Sequence, residues 1–231
     1  MPDAPTAVPG PAASEPSVRG RTVLVAGATN ASGRAVAEAL VEAGATVVAV
    51  GRDRVRIDAL ARDLPGVVGE VADLADEDAV LELAMRVRAR VGDLDGLVHL
   101  VGGWRGGGGI LSQSDDDYRV LERSFTALRF ESLAFFDDLA RSEAGRVVIV
   151  SSTTVERPRA GSANYAAVKA ASESWTRSLA DGFASGSPSA AAVIVRVGSL
   201  AGSEAELGAS VVALWRSDAS ELNGRTFRLG A

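Results

Sequence analysis

The sequence predicts an α/β domain, a doubly wound, mostly parallel sheet of seven strands with helices on both faces. Three observations carry that expectation. Short apolar runs of strand length alternate with amphipathic stretches of helix length from Arg21 onward. The runs are continuous in Val, Leu, Ile and Ala, as strands covered on both faces require. Hydrophobic residues make up 47% of the 231-residue chain and aromatics only 5%, so the core is built of small aliphatic side chains.

The elements follow in order. Residues 1–19, rich in Pro, Ala and Ser without periodicity, read as a disordered tail, and residues 20–231 as a single domain. Thr22–Ala26 is the first strand, followed by a glycine-containing turn and a helix over 35–42. Strands at 46–50 and 66–71 flank an Arg- and Leu-rich helix reaching residue 64. A helix over 76–90 leads to a fourth strand at 96–101. Residues 115–141 read as one long helix or a broken pair. A fifth strand at 146–150, a helix over 164–183 and a sixth strand at 192–197 follow. A helix over 204–215 and a last short strand at 226–229 complete the pattern. Repeated β–α–β units take right-handed crossovers, which makes the sheet parallel.

Composition narrows the function. A net charge of −6 argues against a nucleic-acid or membrane-surface binder, and no apolar run approaches a bilayer span. The N-terminus lacks the pattern of a secretory signal, so a cytoplasmic location is expected. With no cysteine and one histidine, His99, disulfides, thiolate chemistry and a His- or Cys-built metal site are not expected. Among 24 basic side chains lysine occurs once, as Lys169.

The first strand runs into Gly27-Ala28-Thr29-Asn30-Ala31-Ser32-Gly33, and a helix opens at once. A glycine there lets the chain turn sharply, and small residues let backbone N–H groups approach a pyrophosphate at the helix N-terminus. Tight β–α turns also need glycine for steric reasons alone. After the second strand, Gly51 and Arg52 stand where an NAD site wants a carboxylate, which favours NADP over NAD. The competing reading makes Arg52 and Arg54 solvated helix-start residues.

Ser152 lies just past the fifth strand, at the sheet edge where ligands of open α/β folds bind. Tyr165 and Lys169 are four apart on the next helix and share a face. Carbonyl reduction needs an acid, and a tyrosine near its reference pKa of about 10 is a poor one. A neighbouring ammonium stabilises the phenolate, and a serine hydroxyl can share the developing charge. Tyr and Lys at this spacing are also a common surface pair. In a chain with two tyrosines and one lysine, the coincidence carries weight.

These residues resemble the Tyr-x-x-x-Lys motif of short-chain dehydrogenases/reductases, with the serine thirteen residues earlier. The glycine turn is similar to that family's Thr-Gly-x-x-x-Gly-x-Gly loop, with Ala26 for the threonine and Ala31 for the middle glycine. The resemblance implies a Rossmann-type sheet of order 3-2-1-4-5-6-7. It implies NADP(H), or NAD, held by Gly27, Thr29, Asn30, Ala31, Ser32, Gly33, Arg52, Asp73, Leu74, Val101, Gly102, Tyr165, Lys169 and Gly198. The Asp73-Leu74 pair stands where the family holds the adenine amino group, or else Asp73 is a helix N-cap. The resemblance also implies Ser152, Tyr165 and Lys169 as catalytic residues, and a homodimer or homotetramer.

The pattern breaks in places. His99-Leu100-Val101-Gly102 replaces Asn-Asn-Ala-Gly, and His99 is either a hydrogen-bond donor or a packed structural residue. Ser124 replaces the asparagine that anchors a proton-relay water; the resemblance implies it as a fourth catalytic residue, holding that water with a shorter reach. Gly198 leads within a few residues to the final helix, too short for the family's substrate lid. The glycine-rich run 102–109 reads as a flap carrying Trp104, or as a plain loop with Trp104 tucked onto the core. An open site suits a large or carrier-bound carbonyl or alcohol as well as a small one. The leading expectation is an NADP(H)-dependent oxidoreductase. The rivals are a catalytically weak nucleotide-binding sensor or scaffold subunit, and an isomerase or dehydratase on the same scaffold.

Overall fold

A computed structural model describes residues 17–229. Residues 1–16 of the expected tail lie outside the described residues. Of the remaining three, Val18 is buried against the core, and the residue after them, Gly20, donates its N–H to Gly44 O at 2.9 Å, so the packed chain starts before residue 20.

Seven parallel strands form one sheet of order β3-β2-β1-β4-β5-β6-β7, the order expected. They are β1 Thr22–Ala26, β2 Thr46–Gly51, β3 Val67–Val71, β4 Gly96–His99, β5 Arg146–Ser152, β6 Ala191–Val197 and β7 Thr226–Arg228. The main helices are α1 Ala31–Glu42, α2 Arg54–Asp63, α3 Glu77–Val91, α4 Asp115–Arg141, α5 Ala163–Gly186 and α6 Glu204–Ala213. A four-residue α7, Ala219–Leu222, was not foreseen.

Strand side chains alternate between two faces. Val23 and Val25 pack with α1, α2 and α6 on one side, while Leu24 and Ala26 pack with α3, α4 and α5 on the other. This double cover is why the strands read as unbroken apolar runs. α4 is one unbroken helix of 27 residues rather than a broken pair. Its apolar face repeats without a proline, and Ser114 caps it by accepting from Asp117 N–H. α1 begins at Ala31, four residues earlier than its periodicity suggests, because Asn30 caps it inside the glycine turn.

One polar staple is deeply buried. Arg146, 3% exposed, donates to the carbonyls of Gly145, Ser189, Leu214 and Ser217, satisfying a guanidinium that burial makes less basic than usual. It ties the N-terminal end of β5 to the segment after α6. Among the described residues no helix is long and apolar enough to cross a membrane.

Candidate active site

Both glycines of the β1–α1 turn are required by the backbone itself. Gly27 sits at φ 78°, and a Cβ on it would lie 2.8 Å from the Leu100 carbonyl oxygen. A Cβ on Gly33 would lie 2.3 Å from the Gly27 oxygen. Asn30 fastens the turn at both ends. Its Oδ1 accepts from Gly33 N–H at 2.7 Å, and its Nδ2 donates to Leu100 O at 3.2 Å. One N–H at the start of α1 is therefore engaged by the cap.

A cleft of about 520 Å³ crosses the C-terminal ends of β1 to β4 and is closed on one side by α4. Gly27, Thr29, Asn30, Arg52, Asp73, Leu74, Val101, Gly102 and Ser124 line it, together with Trp104, Arg56 and Arg123. Ala31, Ser32, Gly33, Gly198, Tyr165 and Lys169 do not, and neither does Ser152. Ala31 is exposed on the first turn of α1, Ser32 and Gly33 are buried, and Gly198 stands exposed beyond β6. Asp73 is not a helix N-cap, since Asp76 caps α3 by accepting from Ala79 N–H. Asp73 instead accepts from Ala75 N–H through Oδ1 and from Arg123 Nη2, at 2.6 Å, through Oδ2.

The second group of residues lies beyond Gly102. β5 ends on buried Ser152, whose Oγ accepts from Thr154 N–H at 3.2 Å and from Thr154 Oγ1 at 2.9 Å. Tyr165 and Lys169 stand in the first two turns of α5, with Lys169 Nζ 5.9 Å from the phenol ring centre. Lys169 Nζ donates to Val150 O at 2.8 Å, pinning α5 to β5 just below Ser152. A Cβ on Gly102 would come within 3.9 Å of both Lys169 Nζ and Ser124 Oγ, so that glycine is where cleft and Lys169 meet. Ser124 donates its proton to Leu121 O on its own helix at 2.7 Å and presents only lone pairs elsewhere.

The electrostatics depart from the expectation of a phenol drawn toward neutrality. Burial raises the Tyr165 phenol above its usual value, with the Ser152 hydroxyl acting in the opposite direction by hydrogen bonding. Burial also lowers the Lys169 ammonium to about 8, with Glu173 opposing it. Desolvation disfavours both charged forms at once. Glu173 is the support that sequence reasoning missed. It lies four residues after Lys169, the spacing that could have revealed it. Burial pushes its carboxyl up, but hydrogen bonds from Arg196, Ser151 and Arg177 outweigh this and hold it below the usual range. Arg56 was missed too. It reaches back to donate to the Thr29 carbonyl, whereas Arg54 pairs outward with Asp58.

His99 is a packed residue, 3% exposed, hydrogen-bonded through Nδ1 to Glu131 Oε1. Glu131, fully buried seven residues after Ser124 on the same face of α4, was not foreseen. Trp104 is not tucked onto the core: it is 60% exposed and lines the cleft. Its glycine-rich segment is nevertheless anchored, since Gly107 N–H donates to Gly161 O at 2.8 Å just before α5. Between β6 and α6 only residues 198–203 intervene, as the missing lid requires.

The family model for short chain dehydrogenases matches residues 21–187. The chain belongs to the short-chain dehydrogenase/reductase family. It is 32% identical over 170 residues to the 3-oxoacyl-(acyl-carrier-protein) reductase FabG of Salmonella typhimurium, covering 71% of this chain and 68% of the relative. It is 29% identical over 169 residues to a short chain dehydrogenase of Pseudocercospora fijiensis, covering 71% and 55%. A solved short chain dehydrogenase/reductase family protein superposes with a TM-score of 0.81 at 26% identity, over 92% of this chain and 97% of the other. A metagenomic short-chain oxidoreductase solved with NADP shares the fold, with a TM-score of 0.81 at 24% identity over 93% and 99% of the two chains. The protein is accordingly an oxidoreductase of the short-chain dehydrogenase/reductase type.

Proposed function

We propose that this short-chain dehydrogenase/reductase interconverts a carbonyl and an alcohol using NADP(H), with Tyr165, Lys169 and Ser152 as its catalytic residues. The observation that carries the proposal is that the cleft reaches Lys169, of the Ser152–Tyr165–Lys169 group, at Gly102. Absence of a Cβ there keeps the floor between Ser124 and Lys169 clear, which fits a dinucleotide laid across the strand ends. Arg52 and Arg56 at the β2 end suit a 2′-phosphate better than a bare ribose. Bound NADP(H) supplies or accepts the hydride.

The chain's own residues do the rest. Tyr165 passes a proton between its phenol and the substrate oxygen. A raised phenol pKa keeps Tyr165 protonated, the form that donates during carbonyl reduction. Ser152, already oriented by Thr154, donates to the same oxygen. Lys169 spends one of its three N–H donors on Val150 O and has two for ribose hydroxyls and the Tyr165 side. The short 198–203 connection leaves the substrate side without a lid. That openness, with the similarity to 3-oxoacyl-(acyl-carrier-protein) reductases, favours a 3-oxoacyl group presented on a carrier over a small free carbonyl. Assembly into two or four copies is part of the same reading.

The raised phenol favours a second reading, a nucleotide-binding sensor with little turnover, because the reverse direction needs a phenolate. Titration with NADPH and NADH followed by nicotinamide fluorescence, then turnover of a 3-oxoacyl thioester, separates the two. Tight NADPH binding with turnover lost in Tyr165→Phe supports the enzyme. Binding without turnover supports the sensor, and no binding of either nucleotide overturns both.

A further inference from the structure

The cleft contains an ion pair that the reaction does not use. Arg123, from the third turn of α4, reaches across to the end of β3 and donates to Asp73 Oδ2 at 2.6 Å. Both side chains remain near half-exposed, 47% for Arg123 and 41% for Asp73, and both line the cleft. The pair sits on the β3 side of the glycine turn, beside Leu74 and Ala75 and opposite the Tyr165–Lys169 end. In a crevice where the phosphates lie at the α1 N-terminus, this is the end left for the base of the adenosine half. An exposed ion pair contributes little to stability by itself, so its place in the cleft is better accounted for by a ligand.

We propose that Arg123 is a purine clamp: Asp73 fixes the plane of its guanidinium so that the flat face covers the adenine ring of the nucleotide. A guanidinium is planar, weakly hydrated and stacks on aromatic faces, which an ammonium does not do. Asp73 meets the geometric demand for such a platform. Its Oδ1 is fixed by Ala75 N–H, so its Oδ2 holds Arg123 in a defined direction. The clamp also offsets what the glycine turn loses, since Gly33 N–H is already taken by Asn30. Affinity at the phosphates is then supplemented by stacking at the base.

The inference rests on the nucleotide reading above, and the experiment separates the two. NADPH and adenosine 2′,5′-bisphosphate are titrated against wild-type, Arg123→Ala and Arg123→Lys protein, with Trp104 emission and calorimetry as readouts. The expected result is a loss of roughly tenfold in affinity for both ligands in R123A, between the scales of an exposed and a desolvated cation–π contact. R123K, which keeps the charge without the flat face, recovers less than half of that loss on a logarithmic scale. Full recovery in R123K reduces Arg123 to a point charge for phosphate and overturns the clamp. Unchanged or tighter binding in R123A also overturns it, the latter showing the ion pair to be a barrier. Failure of the wild type to bind NADPH removes the nucleotide reading itself, and the clamp with it. All three proteins are compared by thermal melting, so a folding defect is not read as lost affinity.

Discussion

Lys169 is the most informative single perturbation, because its burial has a calculable consequence that is independent of turnover. The ammonium is lowered from 10.5 to about 8 by desolvation, with Glu173 opposing. A folded-state pKa below the unfolded one means that the charged form is the strained form in the native protein. The cost is fully present below about pH 8 and is relieved as the pH rises from about 8 toward 10.5, where the unfolded chain still holds the proton. The gap corresponds to roughly 3 kcal/mol. Lys169 keeps part of its surface in contact with solvent, so that figure is discounted to about 1.5 kcal/mol. Lys169→Met removes the ionisable group, keeps most of the volume and loses the bond to Val150 O. That lost bond offsets the gain in the variant at neutral pH, so the useful quantity is the change in the difference with pH. Between about pH 7 and about pH 9.5, wild-type stability should gain about 1 kcal/mol on K169M, which is roughly 2–4 °C in Tm for a chain of this size. Tyr165, raised above its usual value, stays protonated across that range and cancels. Melting both proteins at the two pH values by circular dichroism tests this. A Tm difference that stays constant, or that moves in favour of the variant, would refute a desolvated Lys169.

Further expectations follow from the same geometry. Tyr165→Phe should lower turnover by about 100-fold or more, the range of general acid catalysis, with NADPH affinity within about twofold of wild type. Glu131→Ala should destabilise the fold by about 1–3 kcal/mol in urea, because it leaves the buried His99 Nδ1 without its hydrogen-bond partner; a cost under about 0.5 kcal/mol would show the contact to be dispensable. Gly33→Ala should fail to accumulate as folded protein or melt far below wild type, since its Cβ would meet the Gly27 oxygen at 2.3 Å; a wild-type melting curve would contradict the tight turn. Trp104 emission should shift to the blue on saturation with NADPH, and the shift should vanish in Trp104→Phe.

How much of this was legible in the sequence depended on the range of the interaction involved. The central strands were legible because they are covered on both faces, so residues 23–26 and 147–150 are apolar without interruption. Their order was implied by a resemblance and not by any local signal, since nothing in a strand's own residues says which neighbour it pairs with. The start of α1 was misplaced because capping by Asn30 is a side-chain event inside a turn, invisible to hydrophobic periodicity. At the site, Tyr165 and Lys169 were legible through their spacing within one helix. Arg123, Arg56 and Glu131 were not, because each acts on a partner distant in sequence: Asp73, the Thr29 carbonyl and His99.

The same distinction bears on the site's electrostatics. A motif fixes which groups are neighbours along a helix, but the pKa of each depends on everything packed around it. From spacing alone, Lys169 should lower Tyr165. In the folded protein Arg196, Arg177 and Ser151 form a network around the buried Glu173 carboxylate one turn beyond Lys169, with Arg196 also bound to Glu156 at 2.7 Å. That network spends the Glu173 charge mainly on arginines, leaving Lys169 with too little compensation to stay at its usual value. A lysine poised near 8 switches between charged and neutral close to physiological pH, where an arginine would not. The single lysine of an arginine-rich chain thus stands where a guanidinium would remain permanently charged.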